Sequence, residues 1–133
     1  IICACSENAM SSEKARSVLN DFYTDNVPEP INRRHLISAG KAIVPYLLIE
    51  IRKKDMPKRG YAILALGEIK DKRAIPILIQ ILNDKTEEGY FRADALRSIW
   101  HINKELGEKY ANQLFGQNAD IDAAAQLLRE GKI

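Results

Sequence analysis

Few side chains in this sequence are of the types that carry out covalent chemistry. Its two histidines, His35 and His101, sit singly in helical stretches, where a histidine is more often a polar surface or packing residue than a general base. Cys3 and Cys5 are separated by one residue, so a bond between them would close a strained ring, and neither has the Cys–His spacing of a metal site. There is no glycine-rich phosphate loop and no nucleophile elbow. The carboxylate pair Glu87-Glu88 falls at a turn or helix start, where it suits the positive end of a helix dipole. The reading is therefore non-enzymatic, with no catalytic residue, no cofactor and no metal.

Charge is the next candidate for function. The formal net charge of +2 is unevenly spread: residues 1–32 carry −3, residues 33–73 carry +7 and residues 74–133 carry −2. The middle segment holds Arg52, Lys53, Lys54, Lys58 and Arg59, with Lys70, Lys72 and Arg73 further on. Such a cluster meets phosphate or an acidic protein, or it forms a solvated rim. No interleaved aromatics support base stacking, so nucleic acid ranks below protein as the expected partner.

The elements that position these groups come from apolar spacing. The chain has 133 residues with 46% hydrophobic and 29% charged, the size and balance of one globular domain. Helix-period spacing dominates and no period-2 strand is evident, so an all-α fold is expected. Ala15, Val18, Leu19 and Phe22 make a stripe behind the candidate caps Ser11 and Ser12, predicting a helix over about 12–24. Val44, Leu47, Leu48 and Ile51 form a second stripe, and Ile75, Leu78, Ile79 and Leu82 repeat it 31 residues later. The prolines obey the same shift, Pro45 in "AIVPYLLIEI" and Pro76 in "RAIPILIQIL". Proline beside the first stripe residue fits a helix start, where its missing N–H has no intrahelical acceptor. "RGYAILALGEI" (59–69) aligns with "RADALRSIWHI" (92–102) at a displacement of 33, pairing Arg59 with Arg92 and Gly67 with Trp100. Further helices are expected at about 107–115 and along Ile121, Ala124, Ala125 and Leu128.

A period of 31–33 residues built from two short amphipathic helices is the mark of an α-solenoid, whose units bury their apolar faces only by stacking. "RGYAILALGEIKDKRAIPILIQIL" resembles the short HEAT-type repeat of the phycobilisome-lyase kind, with its opening Arg-x-x-Ala, Leu-Gly, turn Asp and Ala-Ile-Pro. The resemblance is strong over 57–84 and weaker at 33–54 and beyond 103. It implies a right-handed α-solenoid (α-α superhelix) of about three HEAT-like repeats with flanking helices. It also implies that Asp71, Arg59 and Arg92 form a structural ladder between units, and that the second helices line a binding groove. Tyr46, Ile77 and Tyr110 share one repeat position on those helices. Ile49, Gln80 and Gln113 follow three residues on, Arg52 and Asn83 continue the column, and Lys53 beside it is a further expected partner-binding residue. This column is expected either to bind a partner or to pack between repeats. Trp100 at the Gly67 position removes the close helix approach that glycine permits.

Residues 1–10 read as an N-terminal arm or the remnant of a lipoprotein signal, and 11–133 as a single helical repeat domain. "ICACS" (2–6) resembles a bacterial lipobox, with Cys5 as the lipidated residue and a membrane reached only through that anchor. The combined expectation is a protein-binding module of the periplasm or envelope, of the inhibitor, immunity or scaffold type. The alternative is a cytoplasmic adaptor or nucleic-acid binder using the basic segment 33–73.

Overall fold

The computed structural model describes residues 9–29 and 31–133, so Cys5 and most of its arm lie outside the described residues. Within them the chain forms eight α-helices and no strand. The helices are α1 (Ser12–Thr24), α2 (Arg34–Ala39), α3 (Val44–Ile51), α4 (Arg59–Ile69), α5 (Ile75–Asn83), α6 (Gly89–Ile102), α7 (Lys104–Gln113) and α8 (Ala119–Arg129). None is long and apolar enough to cross a membrane.

The pairs α2–α3, α4–α5 and α6–α7 are three successive units of one repeat. In the middle unit α4 ends on Lys70, held at φ 60, and Asp71 then caps a 3-10 turn (Lys72–Ala74) by accepting from the Arg73 N–H at 2.9 Å. Pro76 follows as the second residue of α5, where no intrahelical N–H bond is lost. Pro45 occupies the same place in α3, after the 3-10 turn Gly40–Ile43. The expected position of both prolines holds.

Half-units flank these three. Tyr46 of α3 donates to the Met10 carbonyl at the start of α1, and Tyr23 near its end donates to Glu50 near the end of α3. Thus α1 runs alongside α3 in the same direction and fills the place of a preceding second helix. At the other end α8 packs along α6, and their N-termini meet where Gly89 lies against Asn118 and Asp120. It takes the place of a following first helix.

The core runs through the stack as Phe22, Leu36, Leu47, Ile51, Ile63, Leu66, Leu78, Leu82, Leu96, Ile99 and Ile121, all with essentially no exposure. Each such side chain contributes about 1.5–3 kcal/mol on burial. The α5 stripe is rotated from the predicted one: Ile77, Leu78, Ile81 and Leu82 are buried, while Ile75 and Ile79 are only half-buried. Helix α5 packs on α6 and also faces α3, so it needs apolar residues on two sides. Helix α7 begins at Lys104, earlier than its spacing suggested, because Asn103 caps it by accepting from the Leu106 N–H at 3.1 Å.

Trp100 stands where the middle unit has Gly67, and the two positions meet different helices. A side chain at Gly67 would stand 2.7 Å from the Cα of Ser98, and one at Gly107 would stand 2.7 Å from the Cα of Trp100. The indole that replaces the first-helix glycine is received by a glycine on the following helix.

Candidate functional site

The joints between units are built from arginine. Arg59 opens α4, lies buried, and donates through Nε to the carbonyl of Ile51 at the end of α3 at 2.8 Å. Arg92 repeats the contact from α6 to the carbonyl of Leu82 at the end of α5, also at 2.8 Å. Each satisfies a helix-terminal acceptor that the helix itself leaves unpaired. Asn32 just before α2 and Lys58 at the start of α4 do the same for α1, both donating to the carbonyls of Phe22 and Asp25.

Asp71 stands outside this set, which corrects the expected ladder. Its carboxylate is held below the usual range chiefly by hydrogen bonds from the Arg73 side chain, two residues on. Arg73 makes the link to the preceding unit instead, donating through Nη2 to the Lys41 carbonyl at 3.0 Å. The acid that does meet a joint arginine is Glu87, whose Oε1 lies 2.9 Å from Arg59 Nη1 with both side chains buried.

Among the second helices, α1 adjoins α3 and α3 adjoins α5. Two clefts run between them. The one between α1 and α3 has a volume of about 340 Å³ and is lined by Arg16, Leu19, Tyr23, Tyr46 and Glu50, among others. The one between α3 and α5, about 130 Å³, brings together Arg52, Ile77 and Gln80 beside Lys54 and Asp84. Ile49 stands on the exposed side of α3 with 57% of its surface open to solvent, one turn from Tyr46. Asn83 and Gln113 are exposed and Tyr110 is half-buried on α7. Ile77 is only 5% exposed and belongs to the core, so at that position the packing alternative describes the side chain.

Sequence reasoning missed the α1 side of this face, namely Arg16, Leu19 and Tyr23, together with Glu50. Helix α1 lies outside the aligned repeats, and only the spacing of Leu19 and Tyr23 beside Ala15 hinted at an exposed flank. The Tyr23 hydroxyl is held well above its ordinary range, first by burial and then by the Glu50 carboxylate it donates to. Glu50 is held low, mainly by the hydrogen bond from Lys53.

The basic segment does not form one stripe. Lys41, Lys70, Lys72 and Arg73 gather at one end of the helices and Arg52, Lys53, Lys54 and Lys58 at the other, about 15 Å apart for the 11 residues of α4. Several of these charges are engaged: Lys53 by Glu50, Lys54 by Asp84 and Thr86, Lys58 by the α1 carbonyls and Arg73 by Asp71. Asp84 is held at about 2, most strongly by the Thr86 hydroxyl.

Polar groups also line the first helices. Buried Arg33 pairs with Glu29 and Glu68, and Asp94 of α6 lies against Gly60 of α4. Burial pushes Asp94 up to about 7, against the pull of Arg97 and Arg33. The folded protein therefore holds this carboxyl protonated at a pH where the unfolded chain ionises it. Stability falls as pH rises from about 4 to about 7, by up to about 4 kcal/mol. Asp94→Asn should remove that slope, so its melting temperature should exceed that of the wild type by a margin that widens between pH 5 and pH 8. A margin that stays constant with pH would refute the assignment.

No group of three or more His, Cys, Asp or Glu side chains able to hold a metal occurs among the described residues. No curated protein and no solved structure matches the chain. The likeness to known proteins lies in the middle unit, where residues 58–84, spanning α4 and α5, match the family model of the PBS lyase HEAT-like repeat.

Proposed function

We propose that the protein is a non-enzymatic binding module that holds another protein on its second-helix face. The observation that carries this reading is Ile49. A large apolar side chain 57% exposed, with Tyr46 one turn away and Arg52 three residues on, has the composition of an interface centre. A stack of units offers this surface preformed, so little ordering entropy opposes binding. The division and internal pairing of the basic segment favour a protein partner over a phosphate backbone, which a continuous positive track serves best.

The finer reading is an envelope protein anchored through lipid on Cys5, blocking or scaffolding its partner as immunity-type inhibitors do. Its support is the "ICACS" stretch together with the lack of a catalytic constellation in the sequence.

A photo-crosslinking residue placed at Ile49 in the source cell tests both parts. A single protein adduct recovered with the envelope fraction is the expected result. Ile49→Asp should weaken capture of that protein about 30-fold, a loss of about 2 kcal/mol, while leaving the melting temperature unchanged. Failure to trap any protein from Ile49 would refute the face assignment, and an adduct found only in the soluble cytoplasm would refute the envelope reading.

A further inference from the structure

A third cavity, of about 400 Å³, lies where α1 and α3 begin. Met10, Ala42, Pro45 and the Tyr46 ring make its apolar lining, and Lys41 and Arg73 stand beside them. Hydrogen bonds fix its shape. The Tyr46 hydroxyl donates to the Met10 carbonyl at 2.6 Å, and Arg73 Nη2 donates to the Lys41 carbonyl at 3.0 Å. The site is built by two neighbouring units and the flanking helix together.

Among the described residues its charges do not cancel. The Asp71 carboxylate accepts from Arg73 Nε at 3.0 Å and from Nη2 at 2.5 Å, and it also feels the Lys41 ammonium. Among the described residues the Lys41 ammonium makes no hydrogen bond or ion pair of its own. Among the described residues, two cations against one carboxylate leave a single positive charge beside an apolar wall. A ligand with one negative charge next to an apolar body completes both. A phosphate dianion would overshoot the charge and leave the apolar lining unfilled.

We propose that this pocket captures the free C-terminal carboxylate of a protein partner whose last residue is apolar. The last side chain packs against Met10, Pro45 and Tyr46, and the carboxylate lies between Lys41 and Arg73. A chain end fits better than a free small acid because Tyr46 lines both this pocket and the cleft between α1 and α3. A segment lying along that cleft would finish here, and capture of a terminal carboxylate is a recurring mode of peptide recognition. The inference rests on the protein-binding reading for its partner, but the pocket itself can be tested alone.

The test is an NMR titration of the labelled protein with N-acetyl-leucine and, separately, with N-acetyl-leucine amide. The acid should shift the amide signals of Lys41, Ala42, Tyr46 and Arg73 at millimolar concentration, and the neutral amide should bind about tenfold more weakly. Lys41→Gln, an exposed substitution, should erase the preference for the acid, and Arg73→Lys should reduce it. Ile49→Asp should leave the titration unchanged, so failure at the Ile49 surface and failure at this pocket are separable results. Equal binding of acid and amide, or shifts confined to other parts of the molecule, or no shifts at all, would each overturn the assignment.

Discussion

Gly67→Ala should lower stability by about 3 kcal/mol and the melting temperature by about 10 °C, although alanine is the better helix former by about 1 kcal/mol. Space decides the sign. A methyl group at Gly67 would stand 2.6 Å from Ser98 Oγ, 2.7 Å from its Cα and 2.9 Å from its Cβ. Two of these atoms are fixed to the α6 backbone, so no rotamer change relieves the contact. Helices α4 and α6 must part by roughly 1 Å, which loosens the packing of Ile63 and Leu66 in α4 against Ala95 and Ile99 in α6. The separation also strains the 2.7 Å bond that Ser98 Oγ donates to the Ile63 carbonyl. Gly60→Ala is the control. There the nearest atoms are Asp94 Oδ2 at 3.0 Å and the Phe91 ring at 3.4 Å, both parts of side chains that can move. Its cost should stay under about 1 kcal/mol, offset by the propensity gain. Thermal melts of the two variants compare them directly, and a Gly67→Ala protein that melts with the wild type would show that α4 and α6 do not approach as closely as stated.

What the sequence made legible was what repetition encodes. Pro45 and Pro76, or Arg59 and Arg92, recur because each unit must solve the same local problem: starting a helix after a turn, or capping the helix before it. A period exposes such solutions without any knowledge of distance. Groups that act once are silent in the same reading. Helix α1 works as a second helix, yet it carries no proline and no following repeat in register, so its contribution of Tyr23 and Leu19 to the cleft could not be seen. Asp71 was assigned an inter-unit role through the resemblance, but Arg73 is nearer in the chain and takes the carboxylate locally. Ile77 sits at the same repeat position as Tyr46 and Tyr110, yet it packs into the core while the two tyrosines stay half-buried. Periodicity reports which face a position is on, and the neighbours on that face differ from unit to unit.

Glu87 is the sharpest case of a silent residue, and it makes the two arginine joints unequal. Arg59 and Arg92 make the same Nε contact to a helix-terminal carbonyl, but only Arg59 also faces a buried carboxylate, and its guanidinium lies 5.2 Å from the Phe91 ring centroid. Arg92→Met removes one charge-assisted hydrogen bond and should cost about 1–3 kcal/mol. Arg59→Met removes the same bond and leaves the buried Glu87 side chain without its arginine partner, which should cost about 3–5 kcal/mol. The excess comes from the abandoned carboxylate, so a second substitution that removes it should restore part of the loss. Arg59→Met with Glu87→Leu should therefore be more stable than Arg59→Met alone by about 1–3 kcal/mol, while Glu87→Leu alone should be destabilising. Urea unfolding of the four proteins at pH 7 closes the cycle. Additive losses would mean that water reaches Glu87 and screens the pair. A coupling of more than about 1 kcal/mol would make this joint dependent on one acid from the turn after α5, a dependence that the joint at Arg92 does not share.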